Sequence, residues 1–429
     1  MEIKLAKYDA YKNSGVEWIK EIPEHWVLLS NKYIFNIKKN QVGKKAYQYD
    51  LLSLTLNGVI KRDMVNPQGK FPAEFDTYQE VKRHDFIFCL FDVEETPRTV
   101  GLSDFDGMIT GAYTIMAVGN NIDNRFLYYF YLNLDTDKRM KPLYKGLRNT
   151  ISKENFFSFK TIVPPPSEQT AIAQFLDDKT EKIDKAIRVK QEQIALLKEL
   201  RQIVIHQAIT GGLDKTVKLK DSGVEWIGKI PEHWEVKRLK FSTEIFRGKF
   251  THRPRNDERL YDGKYPFFQT GDVAKAEKFL FNYKQTLNDF GLRVSTLFPK
   301  GTIVMTIAAN IGDIAILNID ACFPDSIVGF KPLKILEKDF LFNSLFVMKE
   351  QFMSTTIKNT QMNLNVDRIG INLICIPPKN EQIKISKFID GATAKFEIAI
   401  SLKEKEIDKF KEYKASLINS VVTGKVRVR

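Results

Sequence analysis

At 429 residues the chain exceeds one comfortable hydrophobic core and calls for two to four domains. Its 43% apolar and 28% charged content is that of a globular protein; no apolar run reaches the ~18 residues of a membrane crossing, and the start lacks the cationic-then-apolar pattern of a secretory signal. The formal charge of +13 favours a polyanionic partner, most simply nucleic acid, and three scattered cysteines (Cys89, Cys322, Cys375) match no metal or redox spacing, which suits a reducing cytoplasm.

Residues 1–26 end in a paired motif, Ser14-Gly15-Val16-Glu17-Trp18-Ile19 followed by Ile22-Pro23-Glu24-His25-Trp26. Tryptophans in such a setting most simply anchor a loop in a core. His25 has neither a nucleophile nor a second metal ligand beside it, so it reads as structural. Residues 27–160 mix short β-like runs (Phe86 to Phe91, Met108 to Met116) with Gly and Asn turns and some helical stretches, as in a compact α/β domain. Two basic runs stand out. The first spans Lys32 to Lys70 and includes Lys38, Lys39, Lys44, Lys45 and Arg62; the second, Lys138 to Lys160, includes Arg148 and Lys153. Such clusters can neutralise phosphates.

The segment 161–214 enters through Pro164-Pro165-Pro166-Ser167-Glu168-Gln169. Ser167 is a good N-cap for a short helix, which the run Asp177-Asp178-Lys179 is expected to end, and Thr180 can cap a second, longer helix to about Gln207. In it a 4-3 spacing selects Ile183, Ile187, Lys190, Ile194, Leu197, Arg201, Val204 and Ala208, the seam of a coiled coil with two polar interruptions.

Everything then recurs. The paired motif returns within 215–234 as Ser222-Gly223-Val224-Glu225-Trp226-Ile227 and Ile230-Pro231-Glu232-His233-Trp234, so all four tryptophans of the chain fall in the two copies. A second domain of similar length, 235–372, scarcely resembles the first, yet it too has β-like runs (Thr302 to Ile307, Gly312 to Leu317) and a basic cluster with Arg247, Lys249, Arg253 and Arg255. Arginines and neighbouring polar side chains such as Gln269 and Thr270 can read base edges. The segment 373–429 enters through Pro377-Pro378-Lys379-Asn380-Glu381-Gln382, with Asn380 as predicted cap and Asp390-Gly391 as predicted break. Its seam is Phe396, Ile400, Lys403, Ile407, Phe410, Lys414, Leu417 and Val421, basic at the same two positions as the first. Setting Glu168 on Glu381 gives an offset of 213 positions that holds without a gap to Thr423-Gly424. Equal length over that distance suggests a ruler: each long helix would span roughly 40 to 45 Å.

No phosphate-cradling Gly-rich loop with Lys-Ser/Thr, no Asn-Pro-Pro-aromatic run and no Gly-rich cofactor loop occurs. No catalytic residue, metal ligand or cofactor is therefore assigned to this chain.

The order of parts, the Gly-Val-Glu-Trp-Ile and Ile-Pro-Glu-His-Trp motifs and the Pro-Pro-x-x-Glu-Gln entries resemble the specificity subunit of Type I restriction-modification systems. Local echoes are Gly107-Met108-Ile109-Thr110-Gly111-Ala112-Tyr113 and Tyr265-Pro266-Phe267-Phe268-Gln269-Thr270-Gly271-Asp272-Val273. The resemblance implies an α+β chain: two globular α/β target-recognition domains separated by two long antiparallel coiled-coil helices, with a pseudo-twofold internal repeat. Each domain would read one half of a split double-stranded DNA target. The implied partners are two methylase subunits acting on adenine N6 and translocase-nuclease subunits, and these would carry the S-adenosylmethionine, ATP and Mg2+. The outer helix faces, with Trp18, Trp26, Trp226 and Trp234 alongside, are then candidate docking sites. A coiled-coil scaffold that binds only proteins, or an autonomous nuclease or methylase with an unfamiliar site, are the competing classes.

Overall fold

The computed structural model describes residues 6–64, 74–308, 310–354 and 364–428, so Lys70 of the first basic run lies outside the described residues. The chain forms two compact units, one of Met1–Gln191 with Glu404–Arg429, the other of Glu192–Lys403. Four helices organise these units: α1 Asn124–Thr136, α2 Pro166–Gly211, α3 Lys338–Val347 and α4 Lys379–Val422.

In the first unit an antiparallel sheet runs in the order Phe35–Lys38, Thr114–Val118, Phe86–Phe88, Val100–Leu102. Its face packs Phe35 and Phe88 against Tyr131 of α1 and against Phe156, and Phe86 against Phe35 and Phe88. The single run expected from Met108 to Met116 is two strands, Gly107–Ile109 and Thr114–Val118, because a turn intervenes in which the Tyr113 N–H donates to the Thr110 carbonyl at 3.2 Å. A separate pair, Val27–Ser30 with Lys160–Val163, closes the domain and brings the chain leaving Trp26 beside the chain entering the prolines.

The second unit closes in the same way, Glu235–Arg238 pairing with Leu373–Ile376. Inside that closure the topology is different. A five-stranded sheet runs Thr243–Arg247, Ile327–Pro332, Ile303–Thr306, Ile314–Leu317, Phe279–Leu280, and a four-stranded one runs Gln285–Leu287, Tyr261–Phe267, Ala321–Cys322, Leu297–Phe298.

Both long helices are continuous, 46 and 44 residues, where the sequence predicts a break. The side chains of the carboxylates that were to interrupt them are engaged by other side chains, for Asp177 and Asp390 from outside the helix and for Asp178 within it. Asp177 accepts from the Tyr129 hydroxyl at 2.8 Å and pairs with Arg125, both on α1; Asp178 pairs with Lys182 one turn on; Asp390 accepts from Lys278 at 2.8 Å. Thr180 is buried within the helix, its hydroxyl 3.0 Å from that of Tyr129. The starts also differ from expectation. The Pro165 carbonyl accepts from the Glu168 and Gln169 N–H groups, and Pro378 from Glu381 and Gln382, so Ser167 and Asn380 lie inside the first turn and not at its N-cap, although Asn380 Oδ1 accepts from the Glu381 N–H there at 2.9 Å. Pro166 fits there because the first helical position needs no donor and favours a fixed φ.

The sixteen seam residues are all buried or half-buried. In the first unit Lys414 donates to Asp184 at 2.6 Å and Lys190 pairs with Glu406 at 2.7 Å, so numbers rise on α2 as they fall on α4 and the helices are antiparallel there. In the second unit Arg201 stands 3.9 Å from Glu397. These basic seam positions meet acids of the facing helix. Half-exposed pairs of this kind contribute about 0.2–1 kcal/mol each, so the apolar members supply most of the pairing energy and the ion pairs favour one register.

Candidate nucleic-acid interface

Each globular domain is held on its helix by one Glu-Gln dipeptide. Trp26 and Trp234 are fully buried, and their indole N–H groups donate to Glu168 at 3.1 Å and Glu381 at 2.9 Å. The other oxygen of each carboxylate lies 2.5 Å from His25 Nε2 and 2.8 Å from His233 Nε2. The next side chain faces the other way. Gln169 accepts from the Asp123 N–H and donates to the Pro164 carbonyl, both at 2.8 Å; Gln382 accepts from the Glu337 N–H at 2.7 Å and donates to the Pro377 carbonyl at 2.8 Å. Asp123 and Glu337 are the N-caps of α1 and α3, so the dipeptide ties the tryptophan motif and the domain's own helix to one turn of α2 or α4. Burial alone would raise the Glu168 pKa, but donors from Trp26, His25 and Tyr8 outweigh it and hold the carboxyl below its ordinary value.

The long helices end against the same indoles. Gly424 (φ +74°) packs on Pro23 and Trp26, and Gly212 (φ +72°) on Trp234, each in the left-handed conformation that lets a helix stop. Burial overturns Trp26 and Trp234 as docking candidates: their rings and N–H groups are used within the chain. Trp18 and Trp226 remain half-buried, Trp18 beneath the Arg139 guanidinium at 5.0 Å and Trp226 offering its carbonyl to His206 at 2.9 Å.

The basic candidates separate into free-standing and paired groups. Lys39, Lys44 and Lys45 are exposed, the last two on a short turn beside the exposed Tyr47. Lys38 instead donates to the buried Asp85 at 2.6 Å, and Arg148 pairs with Asp92 at 2.5 Å, pulling the Asp92 carboxyl below its usual range. Arg62 is half-buried, with its N–H on the Leu51 carbonyl. Lys153 is exposed at the start of the helix Lys153–Ser158.

In the second unit the structure brings three candidates together on Asp325. Arg253 and Arg255 reach its carboxylate at 3.5 and 2.5 Å, and Arg247 donates to its carbonyl at 2.6 Å. Lys249 is exposed beside them. Arg255 and Gln269 also share an open cleft of about 520 Å³ with Lys284 and Gln285. Gln269 precedes the helix Thr270–Lys275, of which Thr270 is the half-buried first residue. Asp325, Lys284 and Gln285 escaped the sequence reading. The visible signal for the last two was the alternation of exposed Phe279, Phe281 and Tyr283 between Lys278 and Lys284.

Among the described residues no group of three or more His, Cys, Asp or Glu is placed to hold a metal ion, and no helix is long and apolar enough to cross a membrane.

The chain has relatives among known proteins. The family model of the Type I restriction modification DNA specificity domain matches twice, over residues 99–196 and 231–409. The chain is 23% identical to the "Putative type I restriction enzyme MjaX specificity subunit" of Methanocaldococcus jannaschii, over 96% of either chain. It is 28% identical to the type I restriction enzyme MjaVIII specificity subunit of the same organism, over 71% of either chain. Its fold is similar to a chain solved in work on complex assembly and conformational transition of the type I R-M system (TM-score 0.68, 14% identity, 94% of this chain and 98% of that one). It is also similar to the HsdS subunit from Thermoanaerobacter tengcongensis (TM-score 0.50, 15% identity, the same coverage).

Proposed function

The chain belongs to the Type I restriction modification DNA specificity family, and from that premise we propose that its domains at 27–160 and 235–372 each read one half of a split duplex sequence. The observation that carries this reading is the contrast between frame and content. The Glu-Gln clasp, the closing strand pair and the helix-ending glycine recur nearly atom for atom, while the sheets they enclose differ in strand number and order. A repeated frame suits a constant partner met twice; unlike contents suit two different targets.

In this account the chain selects DNA and has no catalytic step of its own. Two methylase subunits and the translocase-nuclease subunits bring S-adenosylmethionine, ATP and Mg2+, and the complex works in the cytoplasm. The partners dock on the outer faces of the long helices, where Leu196 and Ile398 are each 63% exposed. Lys39, Lys44, Lys45 and Lys153 neutralise phosphates in one domain, and Lys249 with the Asp325-held arginines does so in the other. The number of residues in the paired helices sets the number of unread bases between half-sites, one turn of B-DNA being about 34–36 Å. Gel-shift titration of the purified chain with random duplex tests the first step. Salt-sensitive binding is expected; a chain that binds no duplex at low salt is a protein scaffold and not a reader. Removing one turn from both helices then tests the ruler, since an unchanged spacer would refute it.

A further inference from the structure

We propose that Gln269 and Gln285 act as one unit that reads an adenine in the half-site recognised by residues 235–372. This inference rests on the reading of that domain as a DNA reader and adds to it the residues and the base.

The two side chains come from different elements held in register. Gln269 follows the strand Tyr261–Phe267 and leads into the helix Thr270–Lys275, and its N–H donates to the Asp272 carboxylate at 2.8 Å, which fixes its backbone. Gln285 opens the strand Gln285–Leu287 and stands opposite Phe267 in the antiparallel ladder. Across the gap Gln269 Nε2 donates to Gln285 Oε1 at 3.1 Å. Gln285 is exposed and Gln269 half-buried at the edge of the cleft that Arg255 and Lys284 also line.

A mutual bond between two amides has a fixed consequence. Gln269 is the donor: its carbonyl oxygen, which caps the Asp272 N–H, has a second lone pair to offer, and the acceptor Gln285 keeps a free NH2 group. The pair therefore offers one hydrogen-bond acceptor beside one donor. In the major groove adenine offers the complement, N7 as acceptor and the N6 amino group as donor. Guanine offers two acceptors, cytosine a donor alone, and thymine an acceptor beside a methyl group. Among single bases only adenine satisfies both groups. The two glutamines already restrain each other, so less side-chain freedom is lost on contact than for one free glutamine. Lys284 supplies positive charge at the same edge for a neighbouring phosphate; Arg255 is already paired with Asp325, and Glu258 and Asp262 also line the cleft.

The test uses the complete chain assembled with its methylase subunits, with the methylated sequence mapped across a genome. In the unmodified assembly one position of the half-site read by residues 235–372 is adenine. Gln285→Ala relaxes that position, lowering its preference for adenine about tenfold to a hundredfold, while the other half-site and the spacer stay as they were. Gln285→Glu keeps the bond from Gln269 but presents acceptors only, and shifts the preference at that position toward cytosine, whose amino group is a donor. An unchanged motif in both variants would overturn the proposal. So would loss of methylation at every site in both, because one base contact cannot carry the whole affinity. An unmodified assembly with no split, sequence-dependent target would instead overturn the reading on which the proposal rests.

Discussion

Replacing Glu168 by Ala should destabilise the chain more than replacing Glu381, although the two residues hold equivalent places. Glu381 receives the Trp234 indole and His233; Glu168 receives Trp26, His25 and, in addition, the hydroxyl of the buried Tyr8 at 3.0 Å. The histidines are nearly half exposed and water replaces the carboxylate, so they add little. Leaving a buried indole N–H without an acceptor costs about 1–3 kcal/mol, which sets Glu381→Ala near ~2 kcal/mol. The stranded Tyr8 hydroxyl adds roughly another 1–1.5 kcal/mol to Glu168→Ala. Urea unfolding followed by tryptophan fluorescence suits the measurement, because all four tryptophans lie in the two motifs and report on the clasps directly. The effect also has a pH signature. Since the folded state holds the Glu168 carboxyl below the ordinary 4.5, its contribution is complete above that pH and fades as pH falls through the lowered value. The gap between the unmodified chain and Glu168→Ala should therefore close in acid. A Glu381→Ala variant as costly as Glu168→Ala, or a gap that widens on acidification, would refute the reasoning.

The same geometry sets other outcomes. Gly424→Ala should cost about 2 kcal/mol, from a strained positive φ and from a Cβ placed 2.4 Å from Pro23 Cδ; Gly212→Ala, whose nearest neighbour is the Trp234 ring at 3.1 Å, should cost less, as urea midpoints will show. All three cysteines are buried, and burial pushes the Cys375 thiol up to about 12, so a thiol reagent should label the native chain slowly and reach three equivalents only on unfolding. Changing Lys44 and Lys45 together to Gln should weaken binding to all duplexes alike and reduce the slope of log affinity against log salt by about 0.9 per lost phosphate contact; an altered target motif would contradict their placing as phosphate contacts.

The frame was legible in the sequence because it is written twice. The offset of 213 positions marked Glu168, Gln169 and their counterparts as equivalent, and the 4-3 spacing marked the seam. What those residues bind was hidden, since Trp26 and Glu168 are 142 residues apart and no local pattern joins them. Asp177 shows the opposite failure: judged locally it ends a helix, but Arg125 and Tyr129 from α1 engage its carboxylate and the helix continues. The domain interiors were least legible. Phe35–Lys38 pairs with Thr114–Val118, and Thr243–Arg247 with Ile327–Pro332, across about 80 residues in each case, and strand periodicity says nothing about partner or register over such a distance. Charge counting likewise found Arg253 and Arg255 but not Asp325, the acid that gathers them.

The central claim is that two independent readers occupy one repeated frame. Exchanging residues 27–160 for the corresponding domain of another family member, assembling the chimera with its methylases and mapping the methylated sequence tests it most directly. One half of the target should change to a new sequence while the other half and the spacer persist. A target altered in both halves, or altered in neither, would contradict the account.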